Sequence, residues 1–477
     1  MNLEGLRMYE LKTNPWPHQW AALDYMITHD QAALFTDMGS GKTKIMIDTI
    51  VNKNFKRVLI VTTKKSCDVW DKQFDVHSNI AKNLRFKLSD LSTTDKISKV
   101  KETFGRGKIF QQILVYIVNY DSVWIEPFSN LVLKLPWDCV ICDESHRIKS
   151  PSGKASRFLA RLGKKVQHRY ILTGTPVSEA PTDIYGQYRF LRPDIFGTNF
   201  GNFKNLYVNI DQVKSAYCGF PVLDSKNPYK NLDDLNEKMY SCAFYAESSV
   251  ELPDTTHLIK DIELSKRAVE VYRELVKEGV YEDEQGVVET NNVLTLHTRL
   301  QQLLSGYLPM EDETFTDKFQ VNLDRTKYAA LEELLEEAPP TTPIVVFAKY
   351  RHDFDMIKLV CEKQDRRYGE ISGQLNNYQE WVDEKIDLIA VQYKSGSESI
   401  DLTRSRYCIY YSHTFSYGLY LQSLKRTHRP GQKHRVTYYH IISHVPKLTS
   451  VDEKILKAHK MKKNLVDYVR EYEKDES

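Results

Sequence analysis

Two regions of this chain share one rhythm: a short apolar run, a stretch with helical periodicity, then another apolar run. In the first region "AALFT", "RVLIVTT", "ILVYIVNY", "WDCVICDE" and "RYILTG" read as strands; in the second, "TPIVVFAKY", "DLIAVQY", "YCIYYSH" and "VTYYHII" do. Strands alternating with helices pair in parallel and are covered on both faces, which fixes the class as α/β. At 477 residues the chain is too long for one core, so two or three domains are expected. The boundaries fall at 1–195 for a first lobe, 196–325 for a helical insertion and linker, and 326–477 for a second lobe with a C-terminal helix. The middle stretch differs in texture, with acidic pieces such as "EGVYEDEQ" and "MEDETFTD", and "APPTTP" leads into the second sheet.

The formal net charge of +2 excludes a uniform polybasic coat but not local basic surfaces. No apolar run approaches the roughly 20 residues of a membrane span. "MNLEGLRMYELKTNPW" lacks a basic segment followed by an apolar one, so the cytoplasm, of a bacterium or of a virus-infected host cell, is the expected location. Cys139 and Cys142 have a metal-like spacing, yet they sit in an apolar strand, where residues three apart point to opposite faces. They read as small core hydrophobes.

"LFTDMGSGKTKIMID" resembles a phosphate-binding loop with one part missing, since Thr36 stands where the pattern has its first glycine. The physical needs are still met. The strand "AALFT" delivers the backbone into a turn, and Gly39, Ser40 and Gly41 let successive N–H groups approach phosphates. Lys42 supplies a cation, Thr43 a hydroxyl for Mg²⁺, and "KTKIMIDTIV" a helix whose N-terminus favours anions. About a hundred residues on, the strand "WDCVIC" ends in Asp143 and Glu144, where one carboxylate can hold Mg²⁺ and the next can orient water and take its proton. "RYILTGTPVSEAP" brings Thr173, Gly174 and Thr175 to the end of another strand. "LQSLKRTHRPGQKHR" places Arg426 and Arg429 three apart, on one helical face.

The ordered set "PHQ", "DMGSGKT", "DESHRIKSP", "LTGTP" and "QSLKRTHRPGQ" resembles superfamily-two helicase-like ATPases, and among them the Swi/Snf-type DNA translocases most of all. The resemblance runs from about residue 14 to 445. It implies two RecA-like lobes, ATP and Mg²⁺ as cofactors, and double-stranded DNA as partner, with single-stranded DNA as a further candidate. It also implies a monomeric motor working with separately encoded proteins. His18 and Gln19 would lie beside the adenine. Met38, Gly39, Ser40, Gly41, Lys42, Thr43 and Lys44 would hold the nucleotide, with Gly396 and Asp401 from "YKSGSESIDLT". Thr43 and Asp143 would hold the metal, and Glu144, Gln422, Arg426 and Arg429 would complete the catalytic set.

The nucleic-acid grip has its own support in the sequence. Residues 147–169 carry many basic residues and no acidic one, and "KRTHRPGQKHR" repeats this in the second lobe. Thr62, Thr63, Lys64, Asn119, Tyr120 and Lys349 each follow a strand, where ligands of open α/β sheets gather. Arg147, Lys149, Lys394 and Ser395 complete the expected nucleic-acid set. A strand-separating DNA or RNA helicase, and a nucleotide-gated scaffold with a silent ATPase, are the competing readings. A GTPase is poorly supported, since no Asn-Lys-x-Asp motif appears.

Overall fold

The computed structural model describes residues 10–471 apart from 38, 106–110, 213–214, 216–222, 225, 247–249, 284–285, 291, 313–317 and 397–399. The described residues form two compact units, one reaching to 251 and including 464–471, the other spanning 252–463.

In the first unit the strands are β1 (Gln31–Thr36), β2 (Arg57–Thr62), β3 (Arg85–Lys87), β4 (Leu114–Asn119), β5 (Cys139–Asp143), β6 (His168–Leu172) and β7 (Ala243–Ala246). They make one sheet in the order β3-β4-β2-β5-β6-β1-β7, every neighbouring pair parallel. Alternate residues of each strand feed two cores. Val58, Ile60, Val115, Ile117 and Ile141 enter one; Leu59, Val61, Tyr116, Val118 and Val140 enter the other, all without exposed surface. Each such side chain contributes roughly 1.5–3 kcal/mol by leaving water. Cys139 and Cys142 fall in opposite cores, and burial pushes both thiols up. The helix Lys42–Asn52 covers the first face through Ile45, Met46 and Ile50. The helices Lys154–Gly163 and Asp183–Leu191 cover the second. Parallel pairing brings the C-terminal ends of β1, β2, β4, β5 and β6 to one edge, and that edge carries the phosphate loop and the acidic pair.

The second unit holds β8 (Thr255–Glu263), β9 (Val280–Asp283), β10 (Gly286–Glu289), β11 (Tyr307–Glu311), β12 (Lys318–Asn322), β13 (Ile344–Ala348), β14 (Tyr368–Ile371), β15 (Leu388–Gln392), β16 (Tyr407–Tyr410) and β17 (Val436–His444). A parallel six-stranded sheet runs β14-β15-β13-β16-β17-β8. A buried ion pair, Lys327 Nζ to Asp452 Oδ2 at 2.9 Å, ties the helix Thr326–Glu336 to the C-terminal helix Val451–Glu471.

The fold is thus two parallel-sheet lobes with helices, as the sequence implies. The middle segment is richer than the helical insertion expected over 196–325. It gives β7 to the first sheet and β8 to the second, and it builds a separate antiparallel sheet, β12-β11-β10-β9, packed with the helices Lys266–Glu278 and Val293–Leu304. Among the described residues no helix is long and apolar enough to cross a membrane.

Candidate functional site

The loop after β1 is built around two glycines in the left-handed region, Gly39 at φ 85° and Gly41 at φ 87°. A Cβ at Gly41 would collide with Gln19 Nε2, so only glycine combines that φ with that approach. His18 Nε2 and Gln19 Nε2 each lie 2.8 Å from the Ser40 carbonyl, while Gln19 Oε1 accepts from the Trp16 N–H at 2.9 Å. Both side chains therefore brace the loop from the helix Pro17–Thr28. Thr36 is the last residue of β1, and its hydroxyl accepts from Ser40 Oγ at 2.8 Å. The residue that breaks the glycine pattern is thus a further brace.

Lys42 opens the helix and curls back, donating to the carbonyls of Thr36 (2.8 Å) and Asp37 (2.9 Å). Thr43 sits half-buried beside it in the first turn. Lys44 departs from expectation: its ammonium group is buried and committed to Asp48 Oδ2 (2.6 Å) and the Thr13 carbonyl (2.9 Å), so its charge is not offered to the loop. Met38 lies outside the described residues.

Asp143 ends β5 and is buried. Its Oδ2 accepts from Thr62 Oγ1 and Trp70 Nε1, both at 2.8 Å, and its Oδ1 accepts from the Glu144 N–H at 3.0 Å. Burial, then the Glu144 charge, push its pKa up against the pull of those hydrogen bonds and of the Lys42 charge. Glu144 itself adopts φ 51°, a conformation that costs a non-glycine residue about 1 kcal/mol or more. His146 Nδ1 lies 3.3 Å from Glu144 Oε2 and 3.4 Å from Thr173 Oγ1, linking the acidic turn to the loop after β6. Gln187, absent from the sequence-derived set, reinforces that link. It is fully buried, accepts from Ser145 Oγ (2.7 Å) and donates to the carbonyls of Pro176 (2.8 Å) and Asp183 (2.9 Å). Gly186 lets its helix approach, since a Cβ there would strike the Ile148 and Lys149 carbonyls.

These groups fit a magnesium nucleotide. Buried Asp143 beside the half-buried Glu144 is costly to ionise, a burden that a cation relieves. Among the described residues no cluster of three His, Cys, Asp or Glu could hold a metal alone. Mg²⁺ bound through one or two carboxylates and substrate phosphates needs no such cluster.

The expected nucleic-acid residues separate into two groups. Thr62 and Tyr120 are buried and spent on Asp143, the Tyr120 hydroxyl donating to its carbonyl at 2.7 Å; Asn119 is buried and accepts from Ser122 Oγ at 2.5 Å. Thr62 and Tyr120 support the acidic turn from within, and none of the three lines the surface. Lys64 and Arg147 are exposed, Lys149 is half-buried with Nζ 3.5 Å from Asp183 Oδ2, and Thr63 pairs with Ser66 Oγ at 2.8 Å. In the second unit Lys394 is exposed and Ser395 donates to Gln392 Oε1 at 3.3 Å. Lys349 donates to Gln301 Oε1 at 2.5 Å between the rings of Tyr350 and Phe415, and burial pulls its pKa down to about 8.

The helix carrying Gln422 and Arg426, Tyr417–Thr427, ends before Arg429. The two arginines therefore do not share a helical face as expected: Pro430 disfavours helix at the preceding residue, and Gly431 turns the chain at φ 108°. They nevertheless converge, Arg426 Nη1 at 3.3 Å and Arg429 Nη1 at 3.4 Å from the Ile400 carbonyl, with Arg429 Nε 3.8 Å from Asp401 Oδ2. Gln422 and Arg426 are buried, Asp401 is exposed, and Gly396 ends the short helix Tyr393–Gly396. Ser397 and Glu398 lie outside the described residues.

A phosphate loop and a strand-end acidic pair on a parallel sheet, followed by a second parallel sheet, define a helicase-like ATPase. The SNF2-related domain family matches residues 18–306 and the helicase conserved C-terminal domain matches 326–431, so the chain belongs to the SNF2-related family, the Swi/Snf-type ATPases of superfamily two. Enzymes of this class are nucleic-acid-dependent ATP hydrolases. Relatives include putative protein p41 of Acyrthosiphon pisum secondary endosymbiont phage 1, 21% identical over 96% of this chain and 98% of that protein. The mouse DNA repair and recombination protein RAD54B is 23% identical over 89% of this chain and 52% of its own length. The probable ATP-dependent DNA helicase CHR23 of Arabidopsis thaliana is 22% identical over 96% and 42%. The chain thus spans about half the length of these last two. Among solved structures, the Sulfolobus solfataricus SWI2/SNF2 ATPase core in complex with dsDNA is 17% identical, covering 97% of this chain and 94% of that one, at a TM-score of 0.43.

Proposed function

We propose that this chain couples ATP hydrolysis to movement along double-stranded DNA and to remodelling of protein–DNA complexes. The observation that carries the catalytic half of the reading is the first unit's edge, where the Lys42 loop and the Asp143–Glu144 turn stand together and the turn is wired through His146 and Gln187 to the 173–176 loop. The backbone of Gly39, Ser40 and Gly41 cradles the β and γ phosphates, and Lys42 exchanges its two carbonyl partners for them. Thr43 and Asp143 would hold Mg²⁺, which when bound would neutralise charge on the phosphates. Glu144 orients the attacking water and accepts its proton, and Gln422, Arg426 and Arg429 are the second unit's candidate catalytic residues. His146 and Gln187 pass the state of that turn to the loop after β6.

DNA as the track is supported by the RAD54B relative, whose name places it in DNA repair and recombination. Lys64, Arg147, Lys149 and Lys394 are the residues assigned to backbone phosphates, so binding should be salt-sensitive and largely independent of sequence. A strand-separating DNA or RNA helicase is the second reading, favoured by the word helicase in the name of CHR23. ATP turnover with no nucleic acid, single-stranded DNA, duplex DNA and RNA tests the proposal. Duplex DNA should stimulate most; stimulation by single strands alone would overturn it.

A further inference from the structure

The helix Lys154–Gly163 buries Phe158, Leu159 and Leu162 in the core of the sheet face opposite the Lys42–Asn52 helix. Its outer side is a basic stripe. Lys154, Arg157, Arg161 and Lys164 follow one another at intervals of three, four and three residues, which a 3.6-residue turn aligns on one face over about 15 Å. All four are exposed, and among the described residues none is paired with a carboxylate. The stripe forms one wall of a cavity of about 610 Å³, whose other walls include Trp124 and Arg189. Lys154 Nζ stands 4.6 Å over the Trp124 ring. Arg189 is anchored at depth by the Pro151 carbonyl (2.7 Å) and Ser156 Oγ (3.2 Å), while its Nε is buried with no hydrogen-bond partner among the described residues. Burial, reinforced by the Arg157 charge, pulls the Arg189 pKa down, a cost that an incoming anion offsets.

We infer that this stripe and cavity are a second phosphodiester-binding site of the first unit, on a different side of the sheet from the nucleotide loop. The ligand class follows from what lines it. Protein interfaces are anchored by large apolar or aromatic side chains and are poor in lysine at their centres. Here no lining residue is an exposed large hydrophobe, and five of the ten are Lys or Arg with no acid among them. Duplex DNA carries one negative charge per about 1.7 Å of axis, a density such a stripe can follow whatever the base sequence. The site rests on the reading of the chain as a DNA motor, and it adds a hold that does not pass through the Lys64–Arg147–Lys149 edge.

The test is the salt dependence of binding to a duplex and to a single strand of equal length, by fluorescence anisotropy. Each phosphate that is no longer neutralised takes about 0.9 off the slope of log K against log salt on duplex, and about 0.7 on single strand. Arg157→Gln/Arg161→Gln should therefore flatten that slope by up to about 1.8 on duplex and about 1.4 on single strand. Turnover without DNA should be unchanged. Both side chains are exposed, so the fold should persist, which circular dichroism checks. The control Lys134→Gln/Lys165→Gln removes two exposed charges of the same unit that do not line the cavity. A slope unchanged in the first pair, or an equal change in the control pair, overturns the site. So does intact DNA binding with lost capture of a polyglutamate peptide, which would assign the stripe to acidic protein. Failure of the unmutated chain to bind DNA at all would instead overturn the motor reading first.

Discussion

Gln187→Leu isolates the wiring of the acidic turn. Leucine is close in volume and keeps the helix, but it removes one acceptor and both donated hydrogen bonds. The Ser145 hydroxyl and the Pro176 carbonyl, both buried, then lose a partner. Each stranded group costs about 1–3 kcal/mol, and the more favourable burial of leucine offsets part of the sum. The expected loss is about 2–4 kcal/mol in the stability of the first unit, read as a shifted transition in urea followed by tryptophan fluorescence. The functional consequence is separate. Because Gln187 joins the Ser145 turn to the Pro176 loop, ATP turnover stimulated by DNA should fall while binding of a fluorescent nucleotide persists. A loss below about 0.5 kcal/mol, the range of neutral surface changes, would refute the structural reasoning. Full stimulation in a destabilised variant would refute the coupling.

Three further outcomes are expected. Lys42→Ala should weaken nucleotide binding and abolish turnover, whereas Glu144→Gln should retain ATP and slow hydrolysis by orders of magnitude in single-turnover assays; normal cycling by the latter would remove Glu144 from the role of base. Lys327→Met leaves Asp452 buried without its cation and should cost about 3–5 kcal/mol in thermal or chemical unfolding of the second unit, with Lys327→Met/Asp452→Leu recovering much of it. Burial first, then the Lys44 and Lys12 charges, push His77 from 6.5 down to about 4. The unfolded chain therefore takes up the proton first, so this contribution to stability is complete above pH 6.5 and is lost as pH falls toward 4. His77→Gln should flatten the stability–pH curve in that window, and an unchanged curve would contradict the assignment.

Strands that carry an apolar run announced themselves in the sequence, because both faces of β2, β4 and β5 are buried and their interior positions are apolar, with polar residues only at the ends. The loop and the Asp143 turn were legible for a related reason: each follows such a strand at its C-terminal end. What sequence concealed depends on distant partners. β8 has many exposed residues, and pairs with β17 across more than 170 positions. The hairpin strand β9 alternates exposed Val280 and Glu282 with buried Tyr281, so its acidic residues masked a period of two. Trp70 and Gln187 reach the acidic turn from helices remote in sequence, and no local pattern marks them. Conversely, Tyr120 and Thr62 stand where surface contacts were expected, but the dry environment of Asp143 recruits their hydroxyls. Arg429 left the helix because Pro430 follows it.

Displacement of a third strand from a DNA triplex, run beside displacement of one strand from a simple duplex, tests the translocation claim most directly. With ATP, the chain should remove the third strand without parting the duplex, and Glu144→Gln should do neither. Parting of the duplex with the triplex left intact would contradict the account.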